Sequence, residues 1–156
     1  MLTDLQDFYR VQYYGDPGLG KSTAIARAAN NGPLIYIDAE KGLKPKALKQ
    51  RGVDVGNIEI HRDIRWQALD ELRIDLAERL ASDPKSVYAV AWDTATKTQD
   101  HFLDPVVKES VRKSVRKGNA DRTEFEIHLE DRGVVSAQIQ KLWFHLHALD
   151  CHVIVG

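Results

Sequence analysis

Cysteine is almost missing from this chain: Cys151 is the only one among 156 residues. An internal disulfide is thereby excluded, which fits a reducing cytoplasm and leaves stability to a packed core. A large net charge is missing too. Lys and Arg number 22 against 23 Asp and Glu, leaving −1 at pH 7. No global field therefore draws the chain to nucleic acid or to an anionic membrane, and any such partner must be met by a local patch. Long hydrophobic runs are missing as well: none reaches the roughly 20 residues that span a bilayer. The opening stretch from Met1 to Phe8 is short and acidic, without the apolar centre of a signal peptide. Internal repeats and low-complexity linkers do not occur. What remains is a single domain over residues 1–156, with 43% apolar residues, enough to bury a core and too many for disorder.

One stretch carries most of the information. Gly15-Asp16-Pro17-Gly18-Leu19-Gly20-Lys21-Ser22, followed by Thr23, has the spacing of a P-loop, the phosphate cradle Gly-x-x-x-x-Gly-Lys-Ser. Glycines let the backbone curl so that N–H groups converge on phosphate oxygens. Lys21 reaches the β- and γ-phosphates, and Ser22 offers its hydroxyl to Mg²⁺. The setting is the one the motif needs. Tyr9 to Tyr14 is a β-rich run before the loop, and Thr23 to Ala29 are helix formers after it, stopped by Asn30-Asn31-Gly32-Pro33.

The rest of the chain alternates strand and helix patterns. Leu34-Ile35-Tyr36-Ile37 reads as a buried parallel strand and Ile58-Glu59-Ile60 as a third strand. Lys44 to Gln50 reads as a short polar helix or turn closed by Gly52. Leu69, Leu72, Leu76 and Leu80 mark a helix from about Ile64 to Ala81, broken by Ser82-Asp83-Pro84. Val87 to Trp92 is the most strand-like run and ends in Asp93. Leu103, Val107, Val111 and Val115 mark another helix, ended by Gly118-Asn119, and a third covers Val134 to Leu149 with Val135, Ile139, Leu142, Leu146 and Leu149 inward. His152 to Val155 begins a last strand. The pattern predicts an α/β fold, a mostly parallel sheet flanked by helices with right-handed crossovers.

A P-loop needs an acidic partner for the metal, and the strand ending in Asp93 supplies one at the phosphate end of the sheet. Asp93 is expected to hold Mg²⁺ beside Ser22. Residue 94 is Thr, so the Asp-Glu pair of AAA+ proteins is absent and the base that orients water must come from elsewhere. Glu40, just past the strand Leu34 to Ile37, is the candidate. Carboxyl ends of parallel strands share one edge, which lets Glu40 face the γ-phosphate and activate water. A solvent-exposed loop glutamate is the alternative reading.

Tyr36-Ile37-Asp38-Ala39-Glu40-Lys41-Gly42-Leu43-Lys44-Pro45, followed by Arg51 to Ile58, resembles the segment after the second core strand of the RecA recombinase family. The family's catalytic glutamate falls on Glu40. The chain is more similar still to the phage-type RecA-like ATPases, compact P-loop proteins implicated in single-strand annealing and recombination. The matching pieces are Gly15 to Thr23, Asp93-Thr94-Ala95-Thr96, and Val134 to Gln138 leading into His152 to Val155. The resemblance covers about Val11 to Gly156. It implies a RecA-like P-loop core, a DNA-dependent ATP hydrolase with ATP and Mg²⁺ as cofactors, single-stranded DNA as partner, a homo-oligomer, and a bacterial or phage-infected cell. It also implies adenine, in keeping with the absence of a guanine-reading Asn-Lys-x-Asp. RecA-like cores continue past the strand His152 to Val155 with a sensor residue, a DNA-facing loop and a fifth strand. The chain is therefore expected to be truncated after the fourth core strand, with one edge of the P-loop strand unpaired or paired with another molecule.

Four weaker features complete the reading. Lys108, Arg112, Lys113, Arg116 and Lys117 form adjoining basic faces on one helix, with Arg122 nearby; they read either as contacts for a DNA backbone or as a solvated face. His145, His147, Cys151 and His152 lack the spacing of a metal site. Trp66, Trp92 and Trp143 read as packing residues rather than a base-stacking platform. Arg122 and Arg132 are candidates for an arginine finger reaching a neighbour's nucleotide. Two other functions share these motifs: a nucleotide-binding module with little turnover, and a motor like a replicative helicase or its loader.

Overall fold

A computed structural model describes residues 7–16, 18–117, 123 and 127–156. Five strands form one sheet: β1 (Arg10–Gln12), β2 (Leu34–Asp38), β3 (Ile58–His61), β4 (Ala89–Asp93) and β5 (His152–Val155). Their order is β1-β5-β4-β2-β3, and every pairing is parallel. Parallel strands need helical crossovers that cover both faces, so the central strands carry no polar alternation. All five residues of β2 and all five of β4 are buried.

The helices are α1 (Lys21–Ala26), α2 (Pro45–Gln50), α3 (Trp66–Ser82), α4 (Ala95–Arg116) and α5 (Leu129–His147). They divide between two apolar clusters, one on each face of the sheet. The odd-numbered residues of β2, Ile35 and Ile37, join Val90 and Trp92 of β4 under Leu69, Leu76, Leu142 and Leu146 from α3 and α5. The alternate residues, Leu34 and Tyr36 with Ala89 and Ala91, pack against Ile25, Ala26 and Ala29 around α1, and Leu48 of α2. The strand period of two makes this division. Leu69, Leu72, Leu76 and Leu80 line the buried face of α3 as their spacing predicts.

Several elements depart from the sequence expectation. β1 covers three residues rather than six, and all three are exposed at the sheet edge. Its attachment is carried partly by Arg10, whose guanidinium donates to the carbonyls of His147, Leu149 and Cys151 at 2.9, 2.9 and 2.6 Å. The helix α1 tightens into a 3-10 turn at Arg27–Asn30. Val115, expected inward, is 52% exposed, because Thr98, Phe102 and Val107 form the buried stripe of α4 and a four-residue step drifts away from a 3.6-residue turn. α5 begins five residues before the expected Val134. The Asp131 carboxylate accepts from the His128 N–H at 2.9 Å and starts the helix there. The Gly118-Asn119 helix end lies outside the described residues.

Candidate functional site

The P-loop joins β1 to α1 at the carboxyl edge of the sheet. Gly18 and Gly20 adopt φ of 85° and 84°. A Cβ at either would meet nothing within 4 Å, so the left-handed backbone, not space, demands glycine there. The Lys21 ammonium donates to the carbonyls of Gly15 and Asp16 at 2.6 and 2.9 Å, which folds it over its own loop. Pro17 lies outside the described residues.

Asp93 ends β4 on the α1 face, 5% exposed. Its Oδ2 accepts a 2.5 Å hydrogen bond from the Tyr36 hydroxyl. Burial first, then the bond to Asp93, pushes the Tyr36 phenol far above its ordinary range, so it stays protonated and can donate. Tyr36 thus anchors Asp93, one of the two residues expected at the metal. In the sequence Tyr36 stands inside an apolar strand run, and the signal for this role is that a buried tyrosine needs a partner for its hydroxyl.

Glu40 is exposed on the turn after β2. That turn is organised by Asp38, whose carboxylate accepts from the backbone N–H groups of Gly42 and Leu43 at 3.0 and 3.3 Å and from Arg62 at 3.3 Å. The Ala39 N–H donates to the Asp93 carbonyl at 2.8 Å, which joins the turn to the end of β4. Lys41 takes a φ of 55°, the tight left-handed bend between Glu40 and Gly42. Gly18, Gly20, Lys21, Ser22, Glu40 and Asp93 face one cleft of about 500 Å³. Thr23 lines it as well, and its hydroxyl accepts from Arg51 at 2.9 Å. Arg51, at the end of α2, adds a cation to the cleft that no sequence motif marks.

A second hollow, about 610 Å³, lies between α3, α4 and α5. Lys41, Arg62, Arg65, Trp66 and Lys113 line it, as do Asp63, Glu109 and Glu130. Of the basic residues expected on one helix, Lys108, Arg112, Lys113 and Arg116 are exposed on α4 and Lys117 is exposed just past its end. Lys108 pairs with Asp104 at 2.8 Å and Lys113 with Glu109 at 3.7 Å. Only Lys113 of the five reaches the hollow. Arg132 is exposed near the start of α5, and Arg122 lies outside the described residues.

The histidine-rich end of the chain is used for packing. The His152 Nδ1 accepts from the Tyr9 N–H at 3.0 Å, His147 stacks on Trp143, and Cys151 is buried. Among the described residues no three His, Cys, Asp or Glu gather as a metal site. Trp92 is fully buried, while Trp66 and Trp143 pack half-buried against the core. Among the described residues no helix is long and apolar enough to cross a membrane.

The family model described as an AAA domain matches residues 7–155. No curated protein matches the chain.

Proposed function

The chain belongs to the AAA domain family, a family of nucleotide-binding ATPases, and from that membership we propose that it binds ATP with Mg²⁺ at the P-loop and hydrolyses it. The observation that carries this reading is the convergence of Lys21, Ser22, Asp93 and Glu40 on one cleft from three separate elements. Lys21 leaves its loop carbonyls to neutralise phosphate charge. The Ser22 hydroxyl and Asp93 carboxylate are hard oxygen donors, the set that suits Mg²⁺; when bound, the ion would neutralise charge across the β- and γ-phosphates. Glu40 orients water for in-line attack on the γ-phosphate. RecA-like resemblance and the absence of a guanine motif support adenine.

The partner in this reading is single-stranded DNA, in recombination or repair, with the chain acting as an oligomer in a bacterial or phage-infected cell. Support comes from the exposed basic face of α4 and from the hollow beside it. Lys41, Arg62, Arg65 and Lys113 line it and would meet the phosphates of a strand. Its acidic residues limit the field to local contacts. Lys41 lines the hollow while its neighbour Glu40 lines the nucleotide cleft, a short route from a bound strand to the attacking water.

Phosphate release from ATP, with and without single-stranded DNA at low and moderate salt, tests the proposal. DNA-stimulated release that disappears in Lys21→Ala is the expected result. Unchanged ATP affinity in Lys21→Ala would overturn the site assignment. Binding without turnover in either condition would leave a nucleotide-binding module.

A further inference from the structure

We propose that Tyr36 is a positioning residue of the nucleotide site, its hydroxyl fixing the Asp93 carboxylate that would hold a divalent cation beside Ser22. The inference rests on the nucleotide-site reading above and deepens it.

The placement follows from the sheet. Tyr36 pairs with Ala91 in the parallel register of β2 and β4. Asp93 lies two residues past Ala91, hence on the same face. Ala89 and Ala91 are small and fully buried, which leaves room for a phenol ring between the sheet and α1. The ring itself is 0% exposed. A phenol has one proton to give and lone pairs to receive. Its proton goes to Asp93 Oδ2 at 2.5 Å. That bond uses one lone pair of the carboxylate and leaves its others to a ligand. Those lone pairs are what a cation uses.

Asp93 is confined on its other side as well. A Cβ on Gly156 would lie 2.6 Å from Asp93 Oδ1, so that oxygen sits directly over bare glycine backbone. Rotating the carboxylate would break the Tyr36 bond and leave a buried hydroxyl unpaired, a costly state. The Asp93 carboxylate is thus set before any ligand arrives. Partners of metal-binding groups commonly act in this way.

Tyr36→Phe keeps the ring and removes only the oxygen. The full chain should be titrated with a non-hydrolysable ATP analogue in Mg²⁺ and again in EDTA, with melting curves for both proteins. In EDTA the affinities should agree within about twofold, whereas the gain in affinity from Mg²⁺ should fall by about 10- to 100-fold. An equal loss in both buffers means a structural residue and overturns the inference, as does an undiminished Mg²⁺ gain. Wild-type chain that fails to bind the analogue at all overturns the nucleotide-site reading itself. If Tyr36→Phe melts early, 3-fluorotyrosine at position 36 retains the hydroxyl. Its fluorine resonance should shift when Mg²⁺ joins the bound analogue, and an unmoved resonance overturns the inference.

Discussion

Asp38 and Glu40 stand two residues apart and divide the work of one turn. Asp38 is 2% exposed and spends its carboxylate on Gly42, Leu43 and Arg62. Glu40 is exposed toward the cleft. Asp38 has its oxygens occupied and does not line the cleft, so the proposed water activation falls to Glu40. Glu40→Gln should therefore bind ATP within about twofold of wild type while losing about 10²- to 10³-fold in turnover. Single-turnover phosphate release beside an analogue-binding titration separates the two effects, and equal turnover would move the base elsewhere. At this scale much was legible. Glycine spacing announces the loop because only a left-handed backbone needs Gly18 and Gly20. Tyr36 and Arg51 were not legible, because a strand or helix pattern says nothing of where a side chain's polar tip ends.

Among the elements, β1 has the least to hold it: three exposed residues at a sheet edge. Its second edge has no strand partner among the described residues. Two side chains compensate, Arg10 on the carbonyls near the end of α5 and His152 on the Tyr9 N–H. The His152 ring accepts that bond only when Nδ1 carries no proton. Burial first, then Arg10, holds its pKa below the ordinary 6.5. The folded chain thus binds fewer protons than the unfolded one. This contribution is complete above about pH 6.5 and is lost as pH falls through the lower folded value. Melting temperature should therefore drop between about pH 7.5 and 5.5, and His152→Asn should flatten that drop. A parallel curve for the variant would assign the pH effect to other groups. Long amphipathic α3 was readable from its leucines. The ends of α4 and α5 were not, since a four-residue repeat drifts and a histidine–aspartate cap resembles loop sequence.

At the level of the whole molecule, the sheet separates two cores. One packs beneath the P-loop helix and the other beneath α3 and α5. The parallel order was foreseeable from alternating strands and helices. An open edge on the P-loop strand was expected from the resemblance, and β1 lies at the sheet edge; the order of the other strands was not legible, because it depends on crossovers that sequence patterns do not encode. β5 connects the halves, pairing with β1 on one side and β4 on the other. Cys151 immediately precedes it, 1% exposed, with burial pushing its thiol up to about 11. At mildly alkaline pH the sulfur is therefore both hidden and protonated, and a thiol reagent must wait for β5 to come away. With no second cysteine in the chain, the labelling rate is a stopwatch for that single event. If β5 opens together with the phosphate loop, nucleotide at about 100 times its Kd should slow the stopwatch by up to about 100-fold. An unchanged rate would mean that the strand beside the P-loop strand keeps its own time.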